Sequence, residues 1–230
     1  MKTQRLEELG NNLAHVKHNI EERCQTDGRD ASRVKLIVVT KNFPASDVEL
    51  LYQLGQRDFG ENKEQELTEK ARALQHLPDI RWHFIGQIQS RKVAKIAQVA
   101  SYIHSVDRLK ILRKLEAYGA ETPQKIFVQI NLEPERIDRG GAAAQELAEL
   151  IKAASESVHI QFLGLMCVLP ADVNPCAVLK NLSEQQKFFE EKGFKFPELS
   201  VGMSNDYLEA IDFSATYLRI GSKILGNRIT

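Results

Sequence analysis

The stretch Leu36-Ile-Val-Val-Thr-Lys41 is an apolar run, rich in β-branched residues, that ends in a lysine. It predicts a buried β-strand. An amphipathic segment from Leu6 to about Cys24 precedes it and predicts a helix. Further strand-like runs, each separated from the next by an amphipathic stretch, occur at 57–60, 82–86, 102–106, 125–131, 160–168, 199–204 and 217–221. This alternation predicts parallel strands joined by helical crossovers.

The number of strands decides between two parallel architectures. Eight strands in about 200 residues favour a closed (β/α)8 TIM barrel with an extra N-terminal helix. A doubly wound open sheet is the alternative. Because no Gly/Ser-rich or Pro-rich linker interrupts the series, residues 1–230 are expected to form a single domain.

The composition narrows the class of protein. With 31 Lys+Arg and 31 Asp+Glu, the formal net charge is zero, which predicts no nucleic-acid partner and no attraction to an anionic membrane. No segment resembles a secretory signal or a membrane span, so a cytoplasmic location is expected. Three cysteines without CxxC spacing are interpreted as reduced thiols.

In a β/α barrel the functional side chains lie at the C-terminal ends of the strands. Lys41 ends a nearly apolar strand, and an amine at the mouth of a dry barrel suits a Schiff-base lysine. A solvated lysine at a strand end is the alternative. The other polar or small residues at predicted strand ends are Glu61, Asn62, His83, Gly86, Asn131, Met203, Ser204, Arg219, Gly221 and Ser222.

The last two predicted strands are followed by small residues and hydroxyl groups, in VGMSND and RIGSK. Barrels often bind phosphate at this place through backbone N–H groups. Ser204 is expected to be a helix N-cap. The alternative to a phosphate site is that these residues only begin ordinary helices. Arg219 lies in an apolar run, so its guanidinium is expected to point into the barrel mouth, with a structural salt bridge as the alternative.

Six motifs occur in order along the chain: VVTKNFP, RDFGENKEQE, WHFIGQIQSRK, FLGLM, SVGMSNDYLEAI and YLRIGSKILG. In this order and spacing they resemble the YggS/PROSC family of pyridoxal 5′-phosphate (PLP) homeostasis proteins. The likeness covers nearly the whole chain, and its most specific parts are FGEN, HFIGxxQ, GMSxD and RIGxxxxG.

The resemblance implies a fold-type-III PLP barrel like the N-terminal domain of alanine racemase. It implies that Lys41 carries the cofactor and that Arg219 faces the pyridine nitrogen. The phosphate ligands that it implies are Ser204, Gly221 and Ser222. The motif positions that it places around the pocket are Asn62, His83 and Met203.

The chain departs from the family pattern at two places. Relatives commonly show KTKP where this chain has Lys41-Asn-Phe-Pro44, and they have a lysine in the loop after the fifth strand where this chain reads EPERIDRGG. Arg136 or Arg139 offers the charge of that lysine, but an arginine forms no transferable imine. This loop therefore offers no lysine for a hand-off of PLP.

The function implied is that of a monomeric PLP carrier that stores the cofactor, or delivers it to apo PLP-dependent enzymes, without robust catalysis. An arginine can only donate hydrogen bonds, so a pyridine nitrogen facing Arg219 stays unprotonated and the ring is a poor electron sink. Since the chain ends at Thr230, the additional domain that serves alanine racemases is also expected to be absent. The alternatives are a slow amino-acid racemase and a barrel that binds a phosphorylated metabolite other than PLP.

Overall fold

The computed structural model describes residues 2–119, 122–132, 140–170, 172–195 and 197–226. Within them, eight parallel strands form a closed barrel in chain order. The last strand pairs with the first, in a register that places Ile37 beside Arg219. The predicted (β/α)8 barrel is confirmed, and the doubly wound alternative is wrong because this seam is closed.

The strands are β1 (Lys35–Val39), β2 (Asp58–Glu61), β3 (Arg81–Phe84), β4 (Tyr102–Val106), β5 (Gln124–Gln129), β6 (Ile160–Met166), β7 (Glu198–Ser200) and β8 (Tyr217–Ile220). The helices are α1 (Lys2–Thr26), α2 (Ala45–Gln53), α3 (Glu64–Ala73), α4 (Val93–Val99), α5 (Leu109–Glu116), α6 (Ala144–Glu156), α7 (Pro175–Glu191), α8 (Tyr207–Asp212) and α9 (Ser222–Leu225). A short 3₁₀ turn at Ala31–Arg33 precedes β1.

Two apolar clusters hold the barrel together. The larger one lies where the helices pack on the outer face of the strands. The smaller one fills the barrel interior, and its members are Ile37, Tyr102, Phe127, Leu163, Met166 and Tyr217. Strands with apolar side chains on both faces are typical of parallel sheets, which explains why the sequence shows runs rather than alternation.

The N-terminal helix is longer at both ends than the predicted Leu6–Cys24. Its buried stripe consists of Leu9, Leu13, Val16, Ile20 and Cys24. Two of its polar side chains bind the C-terminal helix: Asn12 Nδ2 donates to the Ile224 carbonyl at 3.0 Å, and Arg5 Nη2 donates to the Leu225 carbonyl at 3.0 Å. The extra helix therefore supports α9, which directly follows β8.

The predicted strand at 199–204 ends earlier, at Ser200. Gly202 has a φ of +99°, in the left-handed region, and its carbonyl accepts the last hydrogen bond to β8, from the Arg219 N–H, before the chain turns away. Met203 and Ser204 consequently lie in the loop beyond β7. Among the residues described, no helix is both long and apolar enough to span a bilayer, and the single-domain organisation of residues 1–230 stays a prediction.

Candidate functional site

The C-terminal mouth of the barrel contains a cavity of about 720 Å³, a size typical of small-molecule sites. Part of its wall is apolar, formed by side chains such as Val39, Phe43, Ile85 and Met166. Seven of the eight predicted site residues line it: Lys41, Asn62, Met203, Ser204, Arg219, Gly221 and Ser222. The structure thus brings together groups from the ends of β1, β2, β7 and β8, while their binding roles stay predictions.

His83 is the exception, and its expected place in the pocket wall is corrected. Its side chain is fully buried inside the barrel, where the ring stacks on Tyr102 at a centroid distance of 4.4 Å. Inward-pointing side chains alternate along a strand, and Ile85, two residues later, occupies the layer that faces the cavity. His83 therefore lies one layer below the site.

Arg219 provides the buried cation of the cavity. Arg219 is only 3% exposed. Its Nη1 donates to Ser200 Oγ at 2.6 Å, and its Nη2 donates to the Cys167 carbonyl at 2.8 Å. Burial lowers the pKa of Arg219 to about 10, so the guanidinium stays charged at neutral pH. Both acceptors are neutral, and among the described residues no salt bridge holds this arginine, contrary to the structural alternative.

A hydrogen-bonded relay runs from Arg219 through the barrel interior, and the sequence did not reveal it. Ser200 Oγ lies 2.9 Å from His104 Nδ1, and His104 Nε2 lies 2.9 Å from His83 Nδ1. His83 Nε2 lies 3.0 Å from Asp58 Oδ1, near the opposite end of the barrel. The only sequence signal was a set of polar residues inside apolar strand runs, such as the histidine of YIHSV.

The charges at the relay ends fix the direction of its hydrogen bonds. Although burial opposes it, hydrogen bonds from Arg81 and His83 hold the pKa of Asp58 well below its usual range, so this carboxylate only accepts. Burial lowers the pKa of both His83 and His104, which are neutral at pH 7. His83 Nε2–H must then donate to Asp58, His104 Nε2–H to His83, and the Ser200 hydroxyl to His104. The Ser200 oxygen is left to accept from the arginine.

The loops after β7 and β8 are joined at the cavity. The Gly221 N–H donates to Ser204 Oγ at 3.3 Å. The sequence predicts Ser204 as the N-cap of α8, but Asp206 takes this position instead. Asp206 Oδ1 accepts from the Met203 N–H at 2.5 Å. Burial raises the pKa of Asp206. The side chain of Asp206 closes the turn and leaves Ser204 beside the cavity.

The remaining wall carries polar groups without charge. Asn62 Oδ1 is buried and has no hydrogen-bond partner among the described residues.

In the part of the chain that the structure describes, no group of His, Cys, Asp and Glu side chains is arranged to hold a metal ion. Arg136 and Arg139, the predicted substitutes for the loop lysine, lie outside the described residues.

Comparisons with known proteins agree with this fold. The family model described as alanine racemase, N-terminal domain, matches residues 11–228. Pyridoxal phosphate homeostasis proteins from Corynebacterium glutamicum and Pseudomonas aeruginosa are 36% and 35% identical, over 91% and 96% of this chain and 97% and 96% of theirs. The solved structure of PipY from Synechococcus elongatus, with PLP bound, superposes with a TM-score of 0.82 at 29% identity, covering 95% of this chain and 100% of that chain.

Proposed function

Because the chain belongs to the family of pyridoxal phosphate homeostasis proteins, built on the alanine racemase N-terminal domain, we propose that it binds PLP at the barrel mouth. Lys41 holds the cofactor as a Schiff base, for storage or delivery and without robust catalysis. The observation that carries this proposal is the convergence of Lys41, the buried Arg219 and the turn after β8 on one cavity.

The turn after β8 suits the phosphate group. In α9 the N–H groups of Ile224 and Leu225 donate to the Gly221 carbonyl, so those of Ser222 and Lys223 are the ones suited to an anion. A Cβ atom at Gly221 would lie 3.1 Å from the Val39 carbonyl oxygen, so the absence of a side chain lets this turn lie close to the end of β1. Ser204 Oγ adds a hydroxyl beside this turn.

The other end of the cavity suits the ring and the aldehyde. PLP supplies an aldehyde that condenses reversibly with a primary amine, and Lys41 provides the amine. Arg219 is charged and can only donate, so it favours an unprotonated pyridine nitrogen. The buried Asn62 Oδ1 offers a further polar contact to a bound ligand.

The wall of the cavity favours a carrier over the alternative of a slow racemase. A racemase needs a second base on the face opposite the lysine. Among the described wall residues the only carboxylate is Asp206, whose Oδ1 is bound to the Met203 N–H. We therefore propose a carrier, which acts as a monomer and delivers PLP to apo PLP-dependent enzymes.

The first experiment is the absorbance spectrum of the purified protein with added PLP, before and after borohydride, for wild type and Lys41→Ala. The proposal expects a band that borohydride removes in wild type, and a PLP adduct that mass spectrometry locates at Lys41. Absence of any trapped adduct in wild type would reject PLP binding by a Schiff base.

Two further measurements separate the alternatives. Incorporation of solvent deuterium at Cα of an amino acid would identify a racemase, whereas a carrier shows none. If Lys41→Ala binds a phosphorylated metabolite as tightly as wild type does, while neither protein binds PLP, the cavity serves another phosphate ligand.

A further inference from the structure

Three ionic side chains lie behind the end of β1, and we refer to Glu61, Lys70 and Glu66 as the ionic cluster. Lys70 Nζ lies 2.6 Å from Glu61 Oε1 and 3.7 Å from Glu66 Oε2. The side chains of Glu61 and Lys70 are 0% and 8% exposed. Thr40 Oγ1 donates to Glu61 Oε1 at 2.6 Å, so the cluster is attached to the residue that joins β1 to Lys41.

The ionic cluster binds the backbone on both sides of Lys41. Lys70 Nζ donates to the carbonyl of Thr40 at 2.7 Å. Glu66 Oε2 accepts from the N–H of Asn42 at 2.7 Å. Asn42 has a φ of +64°, so the chain bends sharply just after the lysine. The peptide groups on either side of Lys41 are thus fixed by two charged side chains of α3.

Stability alone does not account for this arrangement. A buried ion pair is often no more stabilising than apolar side chains of similar volume, because both charges lose their hydration. Burial raises the pKa of Glu61 despite the attraction of Lys70. Glu61 Oε2 also has no hydrogen-bond partner among the described residues. The cluster therefore keeps a costly set of charges at the base of the lysine.

We propose that Glu61, Lys70 and Glu66 are positioning residues that hold the backbone around Lys41 and thereby aim its amine into the cavity. This inference rests on the proposed function, because it assigns the cluster a role in forming the bond between Lys41 and PLP. None of the three residues lines the cavity.

The reaction explains why the position of Lys41 matters. The Lys41 nitrogen forms a bond to the aldehyde carbon, and the carbonyl oxygen leaves as water with two protons from the amine. The amine must approach the carbon within about 3–3.5 Å along a narrow direction. A backbone fixed on both sides of Lys41 limits the range of positions that its amine can occupy. Contacts to the phosphate and the ring do not depend on the position of this amine.

The test replaces the buried pair by apolar side chains of similar volume, in the double variant Glu61→Met/Lys70→Met, which leaves neither partner of this pair unpaired. Two ligands are compared: PLP, by borohydride-trapped adduct at equilibrium, and pyridoxine 5′-phosphate, which has no aldehyde, by calorimetry. Adduct formation is expected to fall about tenfold, the effect of losing a hydrogen bond to a charged group. The affinity for pyridoxine 5′-phosphate is expected to stay within about twofold.

Two variants and a control extend the test. Glu66→Ala leaves the buried Glu61–Lys70 pair in place while it frees the Asn42 N–H, and it should lower adduct formation alone. Lys70→Arg keeps a donor toward Thr40 and should retain most of the adduct. The control Lys152→Met/Glu156→Met removes an ion pair in which both side chains are exposed, and it should change neither ligand.

Other results overturn the inference. Equal loss of PLP and pyridoxine 5′-phosphate would mean that the cluster maintains the whole cavity rather than aiming Lys41. Unchanged adduct formation in the double variant and in Glu66→Ala would mean that the cluster has no positioning role. If wild type traps no PLP, the proposed function fails and this inference fails with it, so the wild-type measurement distinguishes the two failures.

Discussion

His104 and Arg219 share the hydroxyl group of Ser200, which lies 2.9 Å from His104 Nδ1 and 2.6 Å from Arg219 Nη1. Through this hydroxyl, the arginine at the cavity is connected to two buried imidazoles. The Ser200 hydroxyl donates its proton to His104, so its oxygen is oriented to accept from the guanidinium. The state of the barrel interior is thereby coupled to the orientation of Arg219.

We expect His104→Leu to destabilise the fold and to weaken PLP binding. The leucine leaves His83 Nδ1 and the Ser200 hydroxyl without their partner in a sealed interior, which should lower the free energy of unfolding by about 2–4 kcal/mol. Urea unfolding monitors stability, and calorimetry with pyridoxine 5′-phosphate monitors the cavity. The control His18→Leu, on the exposed face of α1, should change stability by less than about 0.5 kcal/mol. Equal stability of both variants would contradict the relay.

The buried histidines also predict a dependence of stability on pH. Burial lowers the pKa of His83 and His104 in the folded chain. Below pH 6.5, about the usual pKa of a histidine, the unfolded chain therefore takes up protons that the folded chain does not. The free energy of unfolding should be highest above this pH and should fall toward pH 5, by at most about 1.4 kcal/mol per pH unit for each histidine.

The pH prediction has its own control in the double variant His83→Gln/His104→Gln. Asp58 does not interfere, because its pKa is depressed and its contribution is lost only below about pH 3.9, the usual value of an aspartate. Urea unfolding between pH 5 and 7 should therefore show a clearly smaller slope for the variant. An equal slope in both proteins would assign the pH dependence to other groups.

The barrel mouth was predictable because one rule applies to every strand. In a parallel barrel the C-terminal ends of all strands lie on the same side. A polar residue at the end of an apolar run is therefore a candidate site residue, even when the other site residues are far away in the sequence. This placed Lys41, Asn62 and Arg219 in one cavity although they are far apart in the chain. The rule cannot tell which of two inward layers a side chain occupies, and His83 was assigned to the wrong one.

The relay and the ionic cluster were not predictable for a different reason. The hydrogen bonds of the relay join residues 21, 25 and 96 positions apart, on four different strands. A polar residue in an apolar run gives no sign of its partner until the register and the closure of the barrel are known. The ionic cluster depends in the same way on how α3 packs behind β1, and its lysine looks like an ordinary helix-end charge.

Gly86 is expected to be intolerant of any side chain. A Cβ atom there would lie 1.9 Å from the backbone oxygen of Asn62, so Gly86→Ala must displace the end of β2 and move Asn62 in the cavity. We expect a loss of about 1–3 kcal/mol in the free energy of unfolding, together with weaker binding of pyridoxine 5′-phosphate.

The matched control for Gly86 is Gly10→Ala, in the middle of α1. Its Cβ would meet Leu54 at 3.6 Å, an ordinary contact, so the alanine should stabilise the protein by about 0.5–1 kcal/mol. Thermal or urea unfolding checks both signs. Similar changes in the two variants would show that contact at Asn62 does not decide the outcome.

Phe43 lines the cavity, and we expect the side chain at this position to affect the release of PLP. Its side chain lines the wall together with Lys41, and the family resemblance gives this position to the second lysine of KTKP. Phe43→Lys places a second amine beside the first, and a free amine exchanges with a Schiff base more readily than water does. We expect faster transfer of PLP to an apo enzyme, measured by its recovered activity, and a borohydride-trapped adduct at position 43 as well as at Lys41.

The control for this exchange is Phe43→Met, which changes the shape of the wall without adding an amine. If it speeds up transfer as much as Phe43→Lys does, the phenylalanine acts as a steric cover over Lys41. If only the lysine variant does so, with adducts at both positions, the wild-type chain releases PLP slowly because it has no second amine at this wall position. Equal rates in all three proteins would contradict any role of position 43 in release.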